Sequence, residues 1–88
     1  MMLIEKRMVI NNKQGLHARP AALFVQIANK YESEVTVKKG RQEVNGKSIM
    51  GLMTLAAGKG AIIIVRINGP DATAAMQELE RIIAGEAA

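Results

Sequence analysis

The apolar run Ala61–Ile67, with the sequence AIIIVRI, constrains the fold more than any other stretch of the chain. Its β-branched residues make it the most strand-prone segment, and successive side chains of a strand point to opposite faces. We therefore predict a central strand with one face packed against helices and the other face open to solvent. The inward face then carries Ile63, Val65 and Ile67, and the outward face carries Ile62 and Ile64.

Two isoleucines on an open sheet face need an explanation. One is that the aliphatic stems of neighbouring Arg7 and Lys38 shelter Ile62 and Ile64, which are then ordinary exposed apolar residues. The other is that the open face forms a weak self-association surface. Both explanations remain open at the level of sequence, although we expect the chain to be a monomer.

The first third of the chain predicts a strand followed by a helix. In Leu3–Ile10, apolar residues at even positions alternate with charged residues, which indicates a strand with one inward face. From Ala18 to about Lys30, apolar residues recur at three- and four-residue spacing, which is typical of an amphipathic helix. Pro20 fits only near the start of this helix, because proline lacks the N–H that later positions need.

The rest of the chain predicts a hairpin and two helices around the central strand. Glu34–Lys39 and Gln42–Val44 form the hairpin. Ser48 then precedes a short helix over IMGLMTL and is expected to cap it. Beyond the central strand, Asp71 opens a last helix that Gly85 ends. The predicted buried stripe of this helix comprises Ala75, Met76, Leu79, Ile82 and Ile83.

Together these elements predict an α+β fold in the order βαββαβα. Three helices on one face of a four-stranded, mainly antiparallel sheet would bury every apolar stripe, which gives an open-faced two-layer sandwich. At 88 residues the chain fits a single domain, 1–88, and with no cysteine it must be held together by packing.

Composition narrows the class of function. Twelve basic against eight acidic residues give a net charge of +4, which suits an acidic partner, a nucleic acid or neither. Phe24 and Tyr31 are the only aromatic residues and provide no base-stacking surface, so we expect no nucleic-acid binding. Charges interrupt the N-terminal MMLIEKR and no run of about 18 apolar residues occurs, so we expect a cytoplasmic protein without membrane insertion.

The only histidine, His17, lies in QGLHARPAAL, where a loop meets the first predicted helix. A metal site needs three or four ligands, and with one histidine and no cysteine it would have to be rich in carboxylates, but the sequence shows no such cluster. A nucleophile–base pair would need Ser33 or Ser48, but neither lies in a sharp glycine-flanked turn. A buried histidine also fits poorly at this junction, because residues there tend to face solvent.

What this position offers is a helix N-terminus. The first backbone N–H groups of a helix lack internal partners and carry partial positive charge, so Ala18 and Arg19 can present theirs to an anion. The guanidinium of Arg19 also suits phosphate oxygens. His17 is therefore a candidate nucleophile for a phosphoryl group, which the helix end would stabilise without a metal.

Two motifs, GLHARPAA and NGKSIMGLMTLAAGKGA, resemble those of the HPr family, the histidine phosphocarriers of the bacterial phosphoenolpyruvate:sugar phosphotransferase system. The resemblance covers essentially the whole chain. It implies that His17 accepts a phosphoryl group on Nδ1 from Enzyme I and passes it to sugar-specific EIIA components, with Arg19 assisting. It also implies a carrier without turnover of its own and without a cofactor.

The second motif resembles the version of the family in which an HPr kinase/phosphorylase modifies the serine, here Ser48. A phosphate at a helix N-terminus is electrostatically favourable, so the fold should tolerate it. The family also implies an apolar surface on which Enzyme I docks, and negative charge on Ser48 would weaken that docking. Its predicted members are Leu16, Lys47, Ile49 and Met50, with Arg19 and Lys30 as a basic rim.

Alternatives remain open. Ile49 and Met50 could be ordinary core residues, and the basic residues could form a solvated face without a partner. The chain could also be a nitrogen-branch or purely regulatory relative of the family, although a purely regulatory protein would not need His17. A basic RNA-binding domain is the alternative from another functional class.

Overall fold

A computed structural model describes residues 2–85, and its elements follow the predicted order βαββαβα. Helix α1 ends two residues before the predicted Lys30, because the backbone hydrogen bonds there change from the α-helical spacing of four residues to a spacing of three. The N–H of Lys30 donates to the carbonyl of Ile27 at 3.0 Å, and that of Tyr31 to the carbonyl of Ala28 at 3.2 Å. The elements are β1 (Met2–Val9), α1 (Ala18–Ala28), β2 (Glu34–Lys39), β3 (Gln42–Asn45), α2 (Ile49–Thr54), β4 (Ile62–Gly69) and α3 (Ala72–Ile83).

The four strands form one antiparallel sheet in the order β1-β4-β2-β3. Strand β4 is central, as predicted from its sequence, and β1 and β3 are the two edges. The helices cover one face: α3 packs over β1 and β4, α1 packs against α3 and α2, and α2 packs against β3. The open-faced two-layer sandwich is therefore confirmed. In residues 2–85 no helix is long and apolar enough to cross a membrane.

The two faces of β4 differ as the alternation predicts. Its inward residues are completely buried among the helices, together with Phe24 of α1. On the outward face, Ile62 is 47% exposed, whereas Ile64 is half-buried between Arg7 of β1 and Lys38 of β2. The shelter expected from these two basic side chains is thus present at Ile64, and Ile62 lies beyond it. The fully buried inward set is Ile63, Val65 and Ile67.

Asp71 ties the start of α3 to the loop before β2. Its carboxylate accepts hydrogen bonds from the Ser33 hydroxyl at 2.5 Å, the Ser33 N–H at 3.0 Å and the Glu32 N–H at 2.9 Å. The hydrogen bond from the Ser33 side chain, followed by that from the Glu32 backbone, lowers the pKa of Asp71. Ser33 is buried in this contact, so its hydroxyl has a structural partner and not a catalytic base.

Candidate functional site

The loop that leads to His17 is anchored at the C-terminal end of α3. The N–H of Asn11 donates to the carbonyl of Ile83 at 3.0 Å, and the side-chain amide of Asn12 donates to the carbonyl of Ile82 at 3.0 Å. These two bonds join the loop after β1 to the end of the last helix. They fix the loop on one side, before it reaches the histidine.

On its other side the loop is anchored to the turn that follows α2. The N–H of Leu16 donates to the carbonyl of Ala57 at 2.8 Å, and Gly15 before it has a φ of +67°. A Cβ atom on Gly15 would overlap the Ala57 carbonyl oxygen and lie 2.6 Å from the Cα of Gly58. Position 15 therefore requires glycine for two reasons. The backbone there is in the left-handed region, and the two chain segments approach too closely to leave room for a Cβ atom.

His17 is the N-cap residue of α1, with extended backbone angles of φ −138° and ψ 153°. Its ring is exposed and makes no capping hydrogen bond to the helix. Ala18 follows with a φ of +49°, a left-handed conformation that costs a non-glycine residue about 1–2 kcal/mol. The buried side chains of Leu16 and Pro20 on either side hold this strained turn in place.

The imidazole thus projects into solvent at the positive end of a helix. The backbone N–H groups of Ala18 and Arg19 belong to the first turn, where the helix itself supplies no acceptor. Pro20 carries no N–H, and its ring is buried against the core. An exposed imidazole, two backbone N–H groups and the exposed side chain of Arg19 therefore occupy one helix start.

Ser48 is the N-cap residue of α2, and the Gly51 N–H donates to its Oγ at 3.1 Å. The predicted capping role is therefore confirmed. The chain before it is turned by Asn45, whose Oδ1 accepts from the Lys47 N–H at 2.9 Å and whose carbonyl accepts from the Ser48 N–H at 3.1 Å. Ser48 itself is half-buried.

Helix α2 connects the Ser48 end to the His17 end of the molecule. The turn that follows it contains Ala57, the residue whose carbonyl holds Leu16, and Lys39 of β2 closes that turn. The ammonium of Lys39 donates to the carbonyls of Leu55 and Ala56, each at 3.2 Å. Sequence patterns do not reveal this support, because Lys39 and the turn meet only through the tertiary fold. The nearest sequence signal is the glycine-rich GKG after the turn, which by itself predicts only a helix stop.

The residues predicted to form the docking surface divide into two groups. Ile49 is 40% exposed and Met50 is 69% exposed, so neither is a core residue. Lys47 is half-buried, and its ammonium donates to the carbonyl of Tyr31 at 2.7 Å. Leu16 requires a correction, because only 1% of it is exposed and its side chain packs in the core. The term docking surface below therefore means Lys47, Ile49 and Met50.

Lys30, predicted for the basic rim of this surface, follows soon after the end of α1. Its ammonium forms an ion pair with the Glu78 carboxylate of α3 at 2.9 Å, and the carbonyl of its neighbour Tyr31 accepts the hydrogen bond from Lys47. The Tyr31 hydroxyl also donates to Glu78, and this hydrogen bond, with the one from Lys30, lowers the pKa of Glu78. Lys30 and Tyr31 thus join the chain just after α1 to α3, and the place of Lys30 in the basic rim stays a prediction.

Comparison with known proteins identifies the family. The chain matches the family model described as PTS HPr component phosphorylation site over residues 4–85. It is 46% identical over 80 residues to phosphocarrier protein HPr of Xylella fastidiosa, covering 91% of this chain and 90% of that protein. It is also 48% identical over 84 residues to HPr-like protein Crh of Halalkalibacterium halodurans, covering 96% and 100%.

Comparison with solved structures points to the same family. The crystal structure of a phosphocarrier protein HPr from Bacillus anthracis is similar with a TM-score of 0.90 and 42% identity, covering 94% of this chain and 99% of that one. Sequence, motifs and sheet topology therefore agree over nearly the full length. The chain belongs to the HPr family of phosphocarriers of the phosphoenolpyruvate:sugar phosphotransferase system, whose members carry a phosphoryl group and are not enzymes.

Proposed function

We propose that His17 is the residue that carries the phosphoryl group, which it accepts from phospho-Enzyme I and delivers to EIIA components in the cytoplasm. The observation that carries this proposal is the position of His17, an exposed N-cap residue whose ring is not used for capping. The backbone N–H groups of Ala18 and Arg19 and the Arg19 guanidinium can bind the phosphoryl oxygens. Relatives named phosphocarrier protein HPr support the same assignment.

The transfer needs no group other than these. The lone pair of the unprotonated ring nitrogen, proposed to be Nδ1, attacks phosphorus while the bond from phosphorus to the donor breaks. The donor leaves with that electron pair, and the other ring nitrogen keeps its proton. The reverse step delivers the group to the acceptor. Helix-terminal donors stabilise the phosphoryl oxygens throughout, which is an electrostatic role.

Incubation with phosphoenolpyruvate and Enzyme I tests the carrier role. We expect one acid-labile, base-stable phosphate on the chain, and we expect it to disappear when an EIIA component is added. Absence of label, or an acid-stable label on a hydroxyl group, would overturn the proposal. A base-stable label that no EIIA component accepts would leave His17 as the acceptor and refute the sugar-transport branch.

Arg19→Ala is expected to slow phosphoryl transfer about 10- to 100-fold without abolishing it. The lost side chain makes charge-assisted hydrogen bonds worth about 1.5–3 kcal/mol, whereas the backbone donors remain. Quenched-flow measurement of labelling by phospho-Enzyme I gives the rate. Lys13→Ala is the matched control, because it removes an exposed positive charge from the same loop but not from the helix start. Equal rates for the two variants would remove Arg19 from the site.

We also propose that an HPr kinase/phosphorylase modifies Ser48 and that the phosphate interferes with docking of Enzyme I. Ser48 directly precedes Ile49 and Met50, so its phosphate would lie at the edge of the docking surface. About two negative charges there would have to be desolvated against the acidic partner expected from the positive charge of this chain. The Gly51 N–H can donate to a phosphate oxygen instead of the hydroxyl, so helix α2 should persist.

Ser48→Asp is expected to weaken binding of Enzyme I roughly tenfold, as measured by calorimetry, because it places a negative charge beside the apolar contact. The matched control is Ser48→Asn, which also caps a helix but is neutral. Ser48→Ala should block labelling by the kinase while leaving transfer largely unchanged. If the aspartate and asparagine variants bind equally well, charge at position 48 does not regulate docking. If the kinase fails to label the wild type, Ser48 is a helix cap only.

A nitrogen-branch carrier would use the same histidine chemistry in a regulatory chain. A second candidate function, from a purely regulatory relative, is signalling through Ser48. The similarity to HPr-like protein Crh favours it, as does the partly exposed serine at the start of α2. The presence of His17 argues against a purely regulatory role. Transfer to sugar-specific EIIA components, measured against transfer to a nitrogen-branch acceptor, separates the sugar-transport carrier from the nitrogen-branch carrier.

A further inference from the structure

Lys39 interrupts the apolar pattern on the helix-covered face of β2. The inward-pointing residues of this strand are Val35, Val37 and Lys39, of which the two valines are 2% and 0% exposed. Lys39 itself is half-buried. A charged side chain that loses part of its hydration needs hydrogen-bond partners in the protein. The partners of this ammonium therefore indicate what the lysine does.

The ammonium of Lys39 binds the C-terminal end of α2. It donates to the carbonyls of Leu55 and Ala56, each at 3.2 Å. Gln42, which lies opposite Lys39 in the β2–β3 hairpin, donates from its side-chain amide to the carbonyl of Thr54 at 3.3 Å. The last carbonyls of a helix lack internal donors and carry partial negative charge, so a cation there stabilises the helix end. The tip of the hairpin thus closes α2.

The turn that Lys39 holds is strained. In residues 2–85, two non-glycine residues have a positive φ, namely Ala56 at +50° and Ala18 at +49°. This conformation is unfavourable for alanine and persists only where the surrounding contacts impose it. At Ala56 these contacts include the hydrogen bond from Lys39 to the Ala56 carbonyl. Removal of that bond should therefore let the backbone at Ala56 relax.

The two left-handed alanines are linked through one hydrogen bond. Ala57 directly follows Ala56, and its carbonyl accepts the N–H of Leu16 at 2.8 Å. His17 and Ala18 then follow Leu16 along the chain. A change in the backbone at Ala56 would reorient the Ala57 carbonyl, and it would therefore release the residue that precedes the histidine.

We propose that Lys39 is a positioning residue for His17, and that it acts through the turn after α2 and the N–H of Leu16. The proposal deepens the carrier role of His17 and rests on it. Transfer requires the imidazole to be aligned with phosphorus, and a shift of about 1 Å in a reacting group can cost roughly 100-fold. We therefore expect Lys39 to control the rate of phosphoryl transfer.

The effect of Lys39 should be separable from docking. Its ammonium binds the C-terminal end of α2, whereas Ile49 and Met50 of the docking surface lie at the N-terminal end. The N-terminal end has its own cap, the hydrogen bond from the Gly51 N–H to Ser48. Loss of the ammonium should therefore lower the transfer rate at saturation and leave the affinity for Enzyme I nearly unchanged.

Lys39→Met tests the proposal, because methionine keeps an unbranched side chain and removes the ammonium. We expect the transfer rate at saturating phospho-Enzyme I to fall about tenfold, and the half-saturating concentration to change by less than about twofold. Lys39→Arg keeps the charge and the N–H donors, so it should recover most of the rate. The matched control is Lys38→Met, which removes the same charge from a neighbour that points to the open sheet face beside Ile64. Its rate should equal that of the wild type when all variants are compared in the folded state.

Amide hydrogen exchange gives a measurement that does not depend on Enzyme I. In Lys39→Met, we expect the Leu16 amide to exchange about tenfold faster than in the wild type, because its acceptor on Ala57 is no longer fixed. The Asn11 amide is the internal reference, since it donates to the carbonyl of Ile83 on the other side of the loop. Its exchange should change much less.

The outcomes distinguish this proposal from the carrier role on which it rests. A wild type that takes no label refutes the carrier role of His17, and the inference about Lys39 falls with it. If the wild type is labelled but Lys39→Met slows no more than Lys38→Met, only the role of Lys39 is refuted. An arginine variant as slow as the methionine variant refutes it too. So does faster exchange at Leu16 without slower transfer, because the turn would then not position the histidine.

Discussion

His17→Ala is expected to abolish labelling from phosphoenolpyruvate and Enzyme I, with no residual acid-labile phosphate on the chain. The reason is chemical: His17 is the only imidazole in the sequence, and the helix-terminal donors beside it bind a phosphoryl group but cannot form a bond to phosphorus. The fold should remain intact, because the ring is exposed and makes no capping hydrogen bond. We expect the free energy of unfolding to change by less than about 0.5 kcal/mol.

Two measurements on the same sample make this result specific. Urea unfolding followed by circular dichroism shows whether the variant is folded. Autoradiography after incubation with radiolabelled phosphoenolpyruvate and Enzyme I shows whether it is labelled. Gln14→Ala is the matched control, since it truncates an exposed side chain of the same loop and should label at the wild-type rate. Acid-labile label on His17→Ala would show that another residue carries the phosphoryl group.

The sheet could be predicted from the sequence because strand faces follow a period of two and depend little on tertiary detail. The alternation of AIIIVRI was enough to assign Ile63 to the inward face and Ile62 to the outward face. In the structure Ile63 is fully buried and Ile62 is 47% exposed, which agrees with this assignment. His17 and Ser48 were likewise predictable as helix starts, because each precedes an apolar helical pattern.

Other features depend on contacts between segments that are distant in sequence. The family resemblance placed Leu16 in the docking surface, but its N–H donates to the carbonyl of Ala57 and its side chain lies in the core. The partner of Lys30 is Glu78 on another helix, which no local pattern identifies. The left-handed turn at Ala18 was also unpredictable, because alanine has no preference for it and the surrounding packing imposes it.

Gly15→Ala is expected to destabilise the protein by about 2–5 kcal/mol and to slow phosphoryl transfer at least tenfold. Two effects add in this variant. Alanine at φ +67° costs about 1–2 kcal/mol, and its Cβ overlaps backbone atoms of Ala57 and Gly58 that cannot rotate away, an overpacking worth about 1–3 kcal/mol more. The loop and the turn after α2 must therefore separate, which breaks the hydrogen bond from Leu16 to Ala57.

Gly40→Ala separates the two effects. Gly40 lies in the β2–β3 turn with a similar φ of +59°, but a Cβ atom added there would meet no other atom within 4 Å. This variant should cost only the roughly 1–2 kcal/mol of backbone strain and leave transfer unchanged. Urea unfolding gives both stabilities, and transfer rates are compared at a temperature where both variants are folded.

The loss of rate in Gly15→Ala follows from the displacement of His17, since a shift of about 1 Å in a reacting group can cost roughly 100-fold. Gly40 lies far along the chain from the histidine. Its neighbour Lys39 bonds to the turn after α2 through its side-chain ammonium, and a Cβ atom at position 40 would meet nothing, so these bonds should persist. The two substitutions therefore share the backbone strain and differ in whether the loop must move. If the two variants are equally stable and equally active, the contact between Gly15 and the Ala57 turn does not position the histidine.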